Sequence, residues 1–286
     1  MDALVEYRHS SGQANKVSGS QDSSPTSIAG LVLRYSAPLS GLRRLPLLGP
    51  LVGWASGKLL PRGTLVWVQV QNGPGKGLWL HLNPRTDNGY FAGAAEPAVQ
   101  MVLQAHLRPG MVFYDIGANI GFFSLVAARL VGPQGRVVAF EVDPEVADHL
   151  RRHVVRNDFR WVAAEERAIW SKTGTVSFAR ADPSTSPERG LGHVVLAPAP
   201  HTIHVDAISL DDFTRTVPAP DFLKCDVEGA EVEVFRGAQK LLAEKRPGVV
   251  CEIHSDDNRR ILLEEFARHH YTCTSLDENQ VLALPQ

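Results

Sequence analysis

Cysteine is scarce in this chain of 286 residues. Cys225, Cys251 and Cys273 are an odd number with no Cys-x-x-Cys pair, which excludes a disulfide scaffold and a thiolate metal cluster. Their scarcity fits a reducing, cytoplasmic interior, with Cys225 and Cys251 as buried thiols. An excess of either charge is also missing. The 29 basic and 31 acidic residues leave a formal charge of −2, which gives no bulk electrostatic reason to bind nucleic acid or an anionic membrane. Long apolar runs are absent as well. Leu45 to Gly57 (LPLLGPLVGWASG) is uncharged, but Pro46 and Pro50 break it and it is too short to span a bilayer. It reads as a lead-in packed on the domain. The N-terminus carries Asp2 and Glu6 and no leader pattern.

What is present is a globular composition, 44% apolar and 21% charged. Residues 1–28 are rich in Ser, Gly, Gln and Asn without an apolar period, and read as a disordered tail. Residues 29–108 form a lead-in and substrate-side cap: LVWVQV (65–70) and LWLHL (78–82) alternate like two strands around a QNGPGKG turn. A helix is expected over Ala95 to Leu107. Residues 109–286 then alternate strand and helix. MVFYDIG, RVVAFE (136–141), WVAAEERAIW (161–170), DFLKCD and GVVCEIH (248–254) read as buried strands. Asp143-Pro144 reads as a helix N-cap with proline at the first turn. TGTVSFAR and HTIHVDAISLDDF read as edge strands or an insertion, and YTCTSL with QVLAL as a terminal hairpin. The alternation predicts an α/β fold with a mainly parallel sheet. Ligands bind such sheets beyond the carboxyl ends of the strands, where Asp115, Glu141, Asp226, Glu252 and His254 all fall.

The loop after the first of these strands, DIGANIG, decides between ligands. A triphosphate site wants a lysine after the loop, but Phe122 and Phe123 follow Gly121. A dinucleotide site wants GxGxxG, but the spacing is Gly117-x-x-x-Gly121, and Asp115 would repel a pyrophosphate. S-adenosylmethionine has an ammonium, a sulfonium and a ribose diol. Asp115 then suits its cationic part, the glycines let backbone approach it, and Glu141, 26 residues after Asp115, can accept the diol.

The blocks VFYDIGANIGFFSLVAARLVGPQGRVVAFEVDPE, ISLDDF, FLKCDVEGAEVEVFRGAQKLL and PGVVCEIH, with YFAGAAEPAV (90–99) upstream, resemble the FkbM-type family of S-adenosylmethionine-dependent methyltransferases. The resemblance covers residues 111–254. It implies a class I methyltransferase (Rossmann-like) fold, with a mainly parallel seven-stranded sheet, helices on both faces and a terminal antiparallel hairpin. It also implies O-methylation of a hydroxyl on a sugar, polyketide or other small metabolite. Asp115, Gly117, Asn119, Gly121 and Glu141 match its cofactor-binding positions, and Asp226 closes that group. Asp226, Glu228 and Glu231 occupy its DVEGAE block, and Glu252 with His254 its EIH block. The EERAIW run and residues 180–204 depart from its pattern, so neither the adenine-side contacts of Glu166 and Arg167 nor the choice of substrate carries over.

A hydroxyl acceptor needs its proton taken by a positioned base. His254 is the first candidate, as a neutral imidazole beyond a strand end; Asp226 and Glu228 are the others. Asp226, Glu228, Glu252 and His254 are also compatible with a Mg²⁺ that binds the substrate oxygens, although no spacing demands one. Glu231 and Glu233 read as solvated helix charge, Lys224 as an alternating strand residue, and His201 with His204 as one face of a strand. The alternatives are a non-catalytic methyltransferase-fold module in a biosynthetic complex, or an N-methyltransferase, for which no Asn-Pro-Pro-Tyr/Phe motif is present.

Overall fold

The computed structural model describes residues 64–84, 86–180, 192–195 and 201–286. The expected tail, the apolar stretch at 45–57 and most of the 180–204 stretch lie outside them.

Two strands, β1 (Val66–Gln69) and β2 (Trp79–Leu82), pair antiparallel as a hairpin. Helices α1 (Asn88–Ala92) and α2 (Pro97–His106) follow. The alternation then begins with β3 (Val112–Ile116), α3 (Phe122–Val131), β4 (Arg136–Phe140), α4 (Pro144–Arg156) and β5 (Val162–Glu165). Next come β6 (Ala168–Ile169), β7 (Gly174–Ala179), β8 (His193–Val195), β9 (Thr202–Ile208) and the single turn α5 (Leu210–Phe213). The chain closes with β10 (Phe222–Cys225), α6 (Glu231–Arg236), β11 (Gly248–Glu252), α7 (Asp256–Arg268), β12 (Tyr271–Ser275) and β13 (Gln280–Pro285).

Seven strands form the main sheet in the order β12-β13-β11-β10-β3-β4-β5. Strands β11, β10, β3, β4 and β5 pair parallel, while β13 runs antiparallel between β11 and β12. β3 is central, and the order reverses across it, which opens a crevice at its carboxyl end. Strand parity sorts the core. Phe113, Val137, Phe222 and Val250 face one side, where α2, α3 and the hairpin pack. Tyr114, Val138, Leu223 and Val249 face the other, toward α6 and α7. The hairpin contributes Val66, Val68, Val70, Leu78, Leu80 and Leu82 to the first core, each under 6% exposed; each such burial stabilises by about 2 kcal/mol.

The sequence reading meets the structure closely in β3, β4, the Asp143 cap and the cysteines. Asp143 Oδ1 accepts from the Glu145 N–H at 2.9 Å, and Cys225 and Cys251 are cross-strand partners, both buried. It differs at the expected third strand. Residues 161–170 form two strands in two sheets, because the chain turns at Glu166-Arg167. β6, β9, β7 and β8 make a separate four-stranded sheet. His201 lies in the turn before β9 at φ +58, so it does not share a strand face with His204.

Candidate active site

The β3–β4 side of the crevice is built largely from backbone. Gly117 leaves β3 at φ +78, and a Cβ there would lie 1.7 Å from the Asp226 carbonyl oxygen. Gly121 caps α3 at φ +86, where a Cβ would lie 2.9 Å from Leu150 Cγ. The space these glycines leave is therefore taken by the chain itself. The N–H groups of Gly117 and Ala118 both donate to the Phe140 carbonyl, which ties the loop to the end of β4. Asn119 sits at φ +49, and its N–H donates to Glu141 Oε2 at 2.8 Å.

Glu141 is 7% exposed, and its Oε1 accepts from the Asp143 N–H at 2.9 Å. Burial pushes its carboxyl up to about 7, against the pull of those two N–H groups. It lines a cleft together with Ile116, Gly117, Asn119, Arg167 and Asp226. Arg167 thus reaches the site, while Glu166 turns away to pair with Arg151.

Behind the loop, His153 is fully buried. Its Nδ1 meets the Ile120 carbonyl at 2.7 Å and its Nε2 accepts from the His81 N–H at 2.7 Å. This neutral ring fastens the hairpin to the glycine loop, and burial pushes it down to about 4. Nothing in the sequence singled it out.

Asp115 departs from expectation. It has no exposure and does not line the cleft. Its position in β3 faces α3, where Ser124 Oγ donates to Oδ2 at 2.5 Å and Oδ1 has no hydrogen-bond partner. Burial raises its carboxyl, opposed chiefly by Lys224 on the adjacent strand.

The opposite side of the crevice is built from ionic side chains. Lys224, 3% exposed, donates to Asp226 Oδ2 at 2.9 Å and lies 5.0 Å from the Phe123 ring centre. Burial alone would lower its ammonium, but Asp226, Glu96 and Asp115 together hold it above its ordinary value. Beyond β10 the chain turns through Glu228 (φ +51) and Gly229 (φ +99). Glu228 is raised by burial, with the nearby His254 opposing.

Glu231 is not solvated helix charge. It is fully buried, and it accepts from His254 Nδ1 at 2.6 Å, the Gly229 N–H at 2.8 Å and Asn258 Nδ2 at 2.7 Å. The bond to Glu231 raises His254 to about 9. That contact favours the imidazolium over the neutral imidazole expected. Its Nε2 faces Glu228 at 3.4 Å, Asp226 at 3.7 Å and Glu252 at 3.9 Å.

Glu96, at the start of α2, joins this wall from the N-terminal part of the chain. Its carboxyl is pushed up to about 7, first by burial and then by Asp226 and Glu252 against Lys224. Two sets of three groups stand close enough to share a cation: Asp226, Glu228 and His254, and Glu96, Asp226 and Glu252. Glu96, Glu231, Asn258 and Gln280 are the site residues that sequence reasoning missed. Glu96-Pro97 did stand in the quoted YFAGAAEPAV block, and Glu231 in the DVEGAE block.

A central β3 with a glycine loop, an acid after β4 and an antiparallel β13 inserted between β11 and β12 define a class I methyltransferase. The sequence pattern of the FkbM methyltransferase domain matches residues 115–272. A hexuronic acid methyltransferase of Haloferax volcanii is 30% identical over 181 residues, 61% of this chain and 71% of the relative. The 31-O-demethyl-FK506 methyltransferase of Streptomyces tacrolimicus is 29% identical over 226 residues, 69% of this chain and 81% of the relative. The crystal structure of an FkbM methyltransferase from Methylobacillus flagellatus KT is 20% identical with a TM-score of 0.44, covering 61% of this chain and 43% of that one. The chain belongs to the FkbM methyltransferase family and is an S-adenosylmethionine-dependent enzyme. No helix among the described residues is long and apolar enough to cross a membrane.

Proposed function

We propose that this enzyme methylates a hydroxyl of a sugar or of a secondary metabolite. The observation that carries the reading is the double position of Asp226. Its backbone carbonyl packs on Gly117 of the cofactor loop, while its side chain opens the wall of acids and His254. One residue thus borders both halves of a methyl-transfer site. Two relatives support the acceptor class, one named for a hexuronic acid and the other for 31-O-demethyl-FK506.

The cofactor fits the residues present. Glu141 lines the cleft with a carboxyl raised by burial, so ribose hydroxyls donating to it would relieve an unfavourable charge. Gly117, Asn119 and Gly121 would hold the loop around the cofactor, and Asp115 would support it from beneath through Ser124. When bound, S-adenosylmethionine supplies an activated methyl group. The chain then aligns the acceptor oxygen and keeps water out.

Asp226 and Glu228 are the carboxylates placed to take the hydroxyl proton. His254, raised by the buried Glu231, acts as their positive partner and holds their orientation through that contact. Of the Mg²⁺ ligands expected from the sequence, Asp226 and Glu252 would hold the ion together with Glu96 rather than His254, whose ring is engaged by Glu231; its chemistry would be to lower the proton affinity of substrate oxygens. The reading does not require it, because Lys224 and His254 already place positive charge among the acids.

The test has two parts. Calorimetry with S-adenosylhomocysteine should show binding that Glu141→Ala weakens. A methyl-transfer screen over neutral hexosides, hexuronides and hydroxylated polyketides, read by mass spectrometry, should show a product with one added methyl, lost in Asp226→Asn. Transfer only to nitrogen acceptors would overturn the reading. Loss of activity with a chelator would bring the cation into the reaction.

A further inference from the structure

Glu96 holds the N-cap position of α2 in the left-handed region, at φ +39 and ψ +70, yet its side chain makes no capping bond. A glutamate here gives up the usual stabilisation of a helix start and carries backbone strain. Its carboxylate reaches the strand ends instead. Oε2 accepts from Gln280 Nε2 at 3.1 Å, across 184 residues of chain. One oxygen each from Glu96, Asp226 and Glu252 lie within 4.8 Å of one another. Gln280 is 4% exposed; its Nε2 also faces Glu252 Oε2 at 3.4 Å, and its Oε1 has no hydrogen-bond partner.

The cations nearby are committed. Lys224 is bonded to Asp226 and His254 to Glu231. What remains for a ligand at this wall is a set of carboxylates, Glu96, Glu228 and Glu252, with the Gln280 oxygen buried and unpartnered beside them. Such a wall has more acceptors than donors, the His254 Nε2–H being the donor that faces it. A ligand rich in hydroxyls supplies donors without adding charge, whereas a ligand bearing a carboxylate adds repulsion.

We propose that Glu96, with Glu252 and Gln280, is a specificity-determining residue that binds hydroxyls of a neutral glycoside next to the one being methylated. The same wall disfavours an anionic glycoside. This rests on the hydroxyl-methylation reading above and narrows its acceptor class.

The experiment uses full-length protein loaded with S-adenosylhomocysteine. It is titrated calorimetrically with each neutral hexoside methylated in the screen and with the matching hexuronide. Glu96→Gln keeps the shape and a partner for Gln280 but removes the charge. It should weaken the hexoside about tenfold or more, while S-adenosylhomocysteine affinity and melting temperature stay at wild-type values. Glu96→Asp should recover part of the loss. Wild type should favour the hexoside over the hexuronide, and Glu96→Gln should narrow that preference. Equal hexoside binding by Glu96→Gln and wild type would overturn the proposal. So would a hexoside affinity that depends on Mg²⁺ only when Glu96 is present, since Glu96 would then be a cation ligand. Methylation of hexuronides alone would overturn it while leaving hydroxyl methylation standing. No methylated glycoside of either kind would overturn this inference, and a methylated polyketide would then leave hydroxyl methylation standing.

Discussion

The two sides of the crevice solve the same problem with different materials. The β3–β4 side is built mostly from backbone: N–H groups that hold Glu141, positive-φ glycines, and a histidine held between two backbone groups. The β10–β11 side is ionic and long-range: Glu96, Lys224, Asp226, Glu231, Glu252 and His254 come from three separate stretches of chain. The contrast is sharpest in the two buried-facing histidines. His153 meets a carbonyl and an N–H, and burial removes its charge. His254 meets a buried carboxylate, and its charge is kept. What surrounds a ring, not its type, sets its protonation.

Substitution at the contact between the two sides should break this division most completely. Gly117→Ala would put a methyl into the Asp226 carbonyl and strain a backbone at φ +78. Both halves should fail together, with about 4 kcal/mol lost and no detectable S-adenosylhomocysteine binding. Denaturant unfolding and calorimetry would check this; a stable, cofactor-binding variant would mean the loop shifts without cost.

Acid should separate the two sides. The folded value for His153, about 4, lies below the ordinary 6.5. Its contribution is present above pH 6.5 and is lost as pH falls through 4, to a ceiling of about 3 kcal/mol. His254 has the opposite sign: its value is raised to about 9, so its contribution is complete below pH 6.5 and is lost as pH rises through 9. Urea midpoints from pH 7 to 4 should fall less in His153→Gln than in wild type. Equal slopes would refute the neutral clip.

The smallest expected effect tests the ionic side alone. Glu231→Gln removes the charge that holds His254, costing about 2 kcal/mol and returning the imidazole toward its ordinary value. NMR titration of the His254 ring would read the shift. S-adenosylhomocysteine affinity should not change, because none of the loop contacts to Glu141 involve Glu231.

These two sides were not equally legible in the sequence. The glycine loop, the acid at 141 and the Asp143-Pro144 cap each lie within a few residues of the element they serve, so local pattern was enough. Glu231 was misread because a glutamate opening a helix beside Glu233 looks solvated; only packing against Asn258 and His254 makes it a buried partner. Asp115 was placed at the loop mouth because it ends the apolar run. Strand parity puts it instead on the α3 face beside Lys224, a direction that the run alone does not reveal. The break at Glu166-Arg167 was hidden because the residues on both sides of it suit strands.

By itself the sequence determined the alternation of strands and helices, the family, and the set of acids at the strand ends, since each depends on neighbours along the chain or on periods of a few residues. The tertiary structure alone decided which groups are buried against which partners and which line the crevice. It brings Glu96 to Gln280, makes Lys224 the partner of Asp226 beside Asp115, and seals Glu231 under His254. Protonation and recognition depend on distances between side chains far apart in sequence and on the water excluded between them, and only the folded chain fixes those.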